Sequence, residues 1–364
     1  LLWPPGPGSA TGKDPAELHL HGARSVVAAV LAELAAIEGL RPAEPGEFTR
    51  RAFENGRIDL TEAEGLADLL MAETESQRRA AIALAGGALS RRIEDWQQRL
   101  LALSAELEAA LDFADEGDVE EDLPSSWRER LLALHGEMQA MLAQPTTERL
   151  KDGIRVVIAG PPNAGKSTLL NRVAGREAAI TSPVPGTTRD VIEAPTAIGG
   201  MPFLLIDTAG LRDSRDEVEQ IGVGRAKESL DAADLILWLG NPAKRPDGEV
   251  IVVQAKADLA AAPDPNADAV VSAVTGEGID ELIRLTASRA AALLPREGEV
   301  AINRRHHELL ERCAMSLGEA LAHRDQIIVS EALRSACAVL DRITGRAGVE
   351  HMLNALFGSL CIGK

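Results

Sequence analysis

The octapeptide Gly160-Pro161-Pro162-Asn163-Ala164-Gly165-Lys166-Ser167 constrains this chain more than any other feature. It has the spacing GxxxxGK[ST], follows the apolar run Val156–Ala159 and precedes a helix opening at Ser167. That order predicts a strand, then a glycine-rich loop whose N–H groups face phosphate oxygens, then a helix whose N-terminus adds partial positive charge. Lys166 is placed to reach the β and γ phosphates and Ser167 to ligate Mg²⁺, with Asn163, Ala164, Gly165 and Thr168 completing the phosphate loop.

The other parts of a nucleotide switch follow in order. Asp207-Thr208-Ala209-Gly210 closes the next apolar run, so Asp207 is expected to hold Mg²⁺ through water and the Gly210 amide to sense the γ-phosphate. Between the two lies Gly186-Thr187-Thr188-Arg189-Asp190, in which Thr188 is placed to complete the Mg²⁺ shell. Two later markers address the base: Ala255-Lys256-Ala257-Asp258 after the run 250–254, and Ser272-Ala273 after the last run. In GTPases the first is usually Asn-Lys-x-Asp, whose Asp accepts hydrogen bonds from guanine N1 and N2. Here Lys256 and Asp258 remain but Ala255 stands where the Asn belongs. GTP is expected over ATP, with guanine reading weakened by the missing partner, a loss of about 1–3 kcal/mol. An ATP-using P-loop enzyme is the plainer alternative.

Hydrolysis needs an oriented water. Leu211 occupies the position where many GTPases carry Gln, and it cannot orient one. Glu217 and Glu219 lie a short loop away, and chemistry alone does not choose between them or against simple solvation of an acidic loop.

Around this centre the pattern changes twice. From 151 to 297, short apolar runs (Val156–Ala159, Phe203–Ile206, Leu235–Leu239, Val250–Val253, Val270–Val271) alternate with helical stretches, the rhythm of a mostly parallel sheet covered on both faces. Residues 61–150 and 298–364 are helical. Thr61 with Glu64 reads as a capping box, and Gly86-Gly87 as a break between helices. Leu309, Leu310, Cys313, Leu317 and Leu321 share one stripe, and Leu333, Cys337, Leu340 and Ile343 another. The simplest architecture is an α/β domain inserted into a discontinuous helical domain. Residues 1–60 are mixed: Leu18–His21 alternates like a short strand, Val26 to Ile37 has helical spacing stopped by Gly39, and Pro42–Thr49 is a turn-rich loop. His19 and His21 lack a third ligand nearby and read as ordinary strand-face or pocket histidines.

A length of 364 residues suggests two or three domains. No apolar window is long enough for a membrane-spanning helix. Three scattered cysteines without a CxxC fit a reducing cytoplasm better than a zinc or disulfide framework. A net charge of -18 argues against non-specific coating of nucleic acid, so any nucleic-acid contact must use a local basic patch or be shared with a partner. The acidic run Asp112–Asp122 reads as a solvated loop. The chain opens Leu1-Leu2-Trp3 without Met, which reads as the interior of an N-terminal domain.

Together, Gly160–Ser167 with Asn163, Gly186–Asp190, Asp207–Arg212 and Cys361-Ile362-Gly363-Lys364 resemble the tRNA-modification GTPase family of MnmE (TrmE) proteins. Pro45–Gly56, Asp59-Leu60 and Leu111-Asp112-Phe113 resemble its upstream regions, so the likeness covers essentially the whole chain. The resemblance implies an α/β P-loop GTPase domain (151–297) inserted into an all-α helical domain (61–150 and 298–364), preceded by a partial α+β folate-binding-like domain (1–60). It implies a homodimer working with an FAD-containing MnmG-like partner on C5 of the tRNA wobble uridine. A tetrahydrofolate derivative (5,10-methylene or 5-formyl form) would supply carbon, and glycine or ammonium the amine. It also implies K⁺ between the two nucleotide-binding domains, on Asn163, Ser182, Val184 and Thr187, and it matches the family's catalytic Glu to Glu219 beside Lys166. Cys361 matches the family's C-terminal Cys, near the folate pocket. Two other readings stand beside it. A ribosome-assembly GTPase of the Era/EngA kind should end in a basic RNA-binding module with a GxxG loop, and a helical scaffold with a vestigial nucleotide site should not keep Lys166, Ser167, Thr188 and Asp207.

Overall fold

The computed structural model describes residues 2, 6, 8–113, 124–175, 178–179, 193–208, 227–260, 262–296, 298–347 and 356. The chain forms two compact units, one from 1–71, 81–143 and 305–364, the other from 72–80 and 144–304. Residues 72–80 and 144–150, which helical periodicity alone groups with 61–150, pack in the sheet-bearing unit.

That unit is built on seven strands: β1 (Ile154–Ala159), β2 (Ala178–Ala179), β3 (Glu193–Ile198), β4 (Met201–Asp207), β5 (Leu235–Trp238), β6 (Val250–Gln254) and β7 (Ala269–Val270). Their order is β2-β3-β4-β1-β5-β6-β7. The pairs from β4 through β7 are parallel, whereas β2·β3 and β3·β4 are antiparallel. The sheet is therefore mixed, with a hairpin the apolar runs did not announce. Gly199-Gly200 joins β3 to β4 with φ of 59° and 79°, the double left-handed turn that glycine adopts most cheaply. Pro195 and the half-exposed pattern of β3 hid the strand from a search for apolar runs.

Both faces of the central strands are covered. Ile154, Val156 and Ile158 point into a core with Leu169, Leu170, Val173, Ile279 and Leu282 from the helices Lys166–Ala174 and Ile279–Ala291. Val157, Ala159 and Ile206 point the other way, into a smaller cluster with Ile236, Leu230 and Ala233. This alternation with both sides apolar is the pattern of a central parallel strand. The strand β1 ends at Ala159, and the phosphate loop begins at Gly160.

The other unit is helical. The helix Glu75–Ala85, which enters this unit at Ala81, is separated from Ala88–Phe113 at Gly86-Gly87, with Gly87 at φ 74°. Helices Ala88–Phe113, Ser125–Leu142, Arg304–Ala322 and Gln326–Thr344 bury Trp96, Leu100, Leu103, Leu131, Leu134, Met138, Leu310, Leu317, Leu333 and Leu340. The buried Cys313 thiol is pushed up to about 12 by desolvation, and its neighbour Cys337 to about 11, so both behave as packing groups rather than thiolates.

Three local expectations change. The helix Leu60–Met71 is capped by Asp59, not Thr61. The Asp59 carboxylate accepts from the Glu62 N–H at 2.9 Å, and Glu62 Oε2 accepts from the Asp59 N–H at 2.9 Å. The box lies two residues earlier, and Glu64 is committed elsewhere, to Arg305 and His306. Leu18–His21 forms no strand. Only Glu17 makes a bridge, to Leu2, and the four residues are exposed without a sheet edge to join. Val26 to Ile37 does form a helix, Arg24–Ala35, but it buries no residue, so its apolar spacing is not spent on a core.

Candidate functional site

The phosphate loop runs from β1 into the helix Lys166–Ala174. Gly160 has φ 153°, and a Cβ there would come within 3.0 Å of the Leu239 carbonyl carbon and oxygen. Gly165, at φ 97°, is the residue before the helix. A side chain at either position would be strained by about 1–2 kcal/mol, so the two glycines are required by backbone shape. Asn163 also takes left-handed backbone, at φ 58°. Ala164 packs against the core and anchors the loop from beneath. Thr168 is exposed in the first helical turn.

Lys166 is buried, at 6% exposure. Its ammonium donates to the carbonyl oxygens of Gly160 at 3.2 Å and Pro161 at 3.0 Å. Sequestering an ammonium costs several kcal/mol unless it is satisfied, and here the loop curls around it. Those carbonyls point the amine along the loop mouth, where phosphate oxygens are the stronger charge-assisted acceptors.

The Ser167 hydroxyl donates to Asp207 Oδ2 in a short contact. Asp207 ends β4 fully buried. The next residue, Thr208, bonds the Ile158 carbonyl through its hydroxyl at 3.0 Å, fastening the end of β4 to β1. A hydroxyl and a carboxylate brought together from separate elements form a hard oxygen pair suited to Mg²⁺.

The base corner lies at the ends of β6 and β7. Ser272 is fully buried, and its hydroxyl donates to Asp258 Oδ1 at 2.6 Å, fixing the carboxylate. The Ala257 N–H bonds the Val271 carbonyl at 3.0 Å, joining the two markers through the backbone. Ala273 follows, half-buried. Lys256, at φ 57°, reaches back so that its ammonium donates to the Asn163 carbonyl at 2.7 Å. The phosphate and base halves, 93 residues apart, are thereby tied together. Lys166, Ser167, Asp207, Lys256, Asp258 and Ser272 are thus assembled along one sheet edge. Ser182, Val184, Thr187, Thr188, Gly210, Glu219 and Cys361 lie outside the described residues.

Sequence reasoning missed a cavity of about 630 Å³ beside the phosphate loop, lined by Gly160, Pro161, Pro162, Thr208, Leu230, Trp238, Asn241 and Lys244. Its walls come from the ends of β1, β4 and β5, and no short motif spans them. The one signal was Trp238, a large aromatic closing an otherwise aliphatic strand.

Comparison with known proteins adds the context of this site. A family model described as the MnmE helical domain matches residues 60–361, and one described as the GTP-binding protein TrmE N-terminus matches residues 1–57. The tRNA modification GTPase MnmE of Rhizorhabdus wittichii is 58% identical over 365 residues, covering 100% of this chain and 82% of that protein. The protein of that name in Erythrobacter litoralis is 53% identical over 366 residues, covering 100% of this chain and 86% of that protein. Among solved structures, the G domain of the T. maritima FeoB iron transporter is 25% identical, covering 38% of this chain and 98% of that chain, and its TM-score of 0.28 is too low to bear on the fold. With two family models that together cover nearly all of its length, the chain belongs to the tRNA modification GTPase MnmE family.

Proposed function

We propose that the chain is a Mg²⁺-dependent, K⁺-activated GTP hydrolase. It works as a homodimer with an FAD-containing MnmG-like partner in modification at C5 of the tRNA wobble uridine. The observation that carries the hydrolase reading is the convergence of Lys166, Ser167 and Asp207 at the mouth of one loop, tied to Asp258 through Lys256.

Lys166 holds the β and γ phosphate oxygens, and the loop N–H groups neutralise the remaining charge. Asp258 selects guanine by accepting from N1 and N2. Ser167 and Thr188 would ligate Mg²⁺ and Asp207 would hold it through water, with the Gly210 amide on the γ-phosphate. Mg²⁺ supplies charge neutralisation across the transferred phosphoryl group. Asn163 fits the K⁺ role: its carbonyl is taken by Lys256, and its side-chain amide has no protein partner among the described residues. Ser182, Val184 and Thr187 are its proposed co-ligands. K⁺ supplies positive charge where other switches use an arginine, an effect worth roughly 10³–10⁵ in rate. Glu219 orients the attacking water through a second water, covering for Leu211.

The folate role, with Cys361 beside a tetrahydrofolate derivative, rests on the family likeness of the N-terminal segment. A ribosome-assembly switch of the Era/EngA kind would share the nucleotide loop but not the helical-domain match over 60–361.

GTP hydrolysis should run several-fold faster in K⁺ than in Na⁺, and Glu219→Ala should remove most turnover while leaving nucleotide affinity intact. Equal rates in the two salts would reject the K⁺ mechanism, and an active Glu219→Ala protein would reject that residue.

A further inference from the structure

Guanine presents donors at N1 and N2 on one edge and acceptors at O6 and N7 on the other, N7 being the acceptor furthest from N1 and N2. A four-residue marker Asn-Lys-x-Asp therefore matches both edges, its carboxylate meeting the donors and its amide the acceptors. In this chain the carboxylate end is intact. Asp258 is held by the buried Ser272 hydroxyl at 2.6 Å. The amide end is a methyl group: Ala255 is half-buried and packs against the sheet core.

Among the described residues, the amide adjacent in the chain does not replace it. Gln254 is engaged by the segment 262–264, its Nε2 donating to the Ala262 carbonyl at 3.1 Å and its Oε1 accepting from the Asp264 N–H at 2.5 Å. Lys256 directs its ammonium to the Asn163 carbonyl, at 2.7 Å. Its stem also lies over the phosphate loop, with Cε 3.8 Å from where a Gly165 Cβ would be. The corner thus has a fixed acceptor for one edge of the base and, at position 255, a methyl group in place of the amide that would meet the other.

We infer that this chain reads guanine through N1 and N2 on Asp258 and leaves N7 unread, so a guanine nucleotide with carbon in place of N7 binds as tightly as the natural one. Position 255 is then a specificity-determining residue. The inference rests on the guanine reading of the site given above.

The test is competition of GDP, 7-deaza-GDP and ADP against a fluorescent guanine nucleotide, on the full chain and on Ala255→Asn. In the natural chain, GDP and 7-deaza-GDP should agree within about twofold, and both should displace the probe far better than ADP. Ala255→Asn should tighten GDP by about three- to tenfold, the range of one net hydrogen bond, and leave 7-deaza-GDP unchanged. A natural chain that binds GDP fivefold or more tighter than 7-deaza-GDP overturns the inference while leaving the guanine reading intact. ADP competing as well as GDP overturns the guanine reading itself. The comparison in the natural chain decides the matter even where the variant fails to fold.

Discussion

Lys256 Nζ lies 2.7 Å from the carbonyl oxygen of Asn163, and both residues hold left-handed backbone, at φ 57° and 58°. Two non-glycine residues in that region, one at each end of a single hydrogen bond, store strain that the surrounding loops must offset. The bond also sets the distance between the phosphate loop and the base corner. Replacing Lys256 with Met keeps the aliphatic stem over Gly165 and deletes only the ammonium. A charged hydrogen bond contributes about 1.5–3 kcal/mol, so guanine nucleotide affinity should fall roughly ten- to a hundredfold. Titration with a fluorescent nucleotide reads this directly. An unchanged affinity would mean that the two loops are positioned independently.

Lys166 bonds the Gly160 and Pro161 carbonyls from inside the loop. Lys166→Ala removes both the phosphate partner and the internal clamp. GTP turnover should drop by at least about two orders of magnitude, as expected when a preorganised charge is taken from a phosphoryl-transfer site. The helix Lys166–Ala174 should persist, because its apolar side packs through Leu169, Leu170 and Val173. Single-turnover hydrolysis together with circular dichroism separates the two effects.

Ser167 and Asp207 come from different elements but meet through one hydrogen bond. Ser167→Ala deletes the hydroxyl and leaves the Asp207 carboxylate buried without that donor. Hydrolysis should then need much higher Mg²⁺ to reach its maximum, whereas Asp207→Asn should lower the maximum as well. Magnesium titration of the steady-state rate distinguishes these outcomes. Indifference of Ser167→Ala to Mg²⁺ would remove the hydroxyl from the proposed metal shell.

The parts of this site that a reader could find in the sequence are those carried by contiguous backbone. Gly160 to Ser167 is legible because strand, glycine loop and helix N-terminus must follow one another in the chain. Asp207 and Asp258 are legible because each sits at the end of an apolar run, and a strand end is where a parallel sheet exposes its functional edge. What stayed hidden depends on partners distant in sequence. Glu64 looked like a capping residue because nothing local shows that Arg305, 241 positions later, claims its carboxylate. The strand Glu193–Ile198 escaped because an edge hairpin needs only half its residues buried. The cavity beside Trp238 draws on three strand ends and so leaves no motif.

The Glu64 cluster makes the last prediction. Arg305 donates to Glu64 through Nε at 2.8 Å and Nη2 at 3.0 Å, and His306 Nε2 lies 2.7 Å from the same carboxylate. Arg305 also caps the Arg342 and Ile343 carbonyls, at 3.2 and 3.1 Å, near the end of the helix Gln326–Thr344. Burial would push the Glu64 carboxyl up, but the hydrogen bonds and charges of His306 and Arg305 outweigh it and bring the group down from 4.5 to about 2. A carboxylate with a lowered folded pKa contributes its full stability above its unfolded value and loses it as pH falls through the folded one. The contribution should therefore be complete above pH 4.5 and fade as pH falls toward 2. Glu64→Gln leaves the guanidinium buried without its charge partner, which typically costs about 3–5 kcal/mol. Glu331→Gln breaks only an exposed pair with Arg334 and should cost under about 1 kcal/mol. Urea denaturation at pH 7 and pH 3 reads both effects. The natural chain should lose stability toward Glu64→Gln as the pH is lowered, and a gap between them that is the same at both pH values would show that the carboxylate's charge does not stabilise the helical unit.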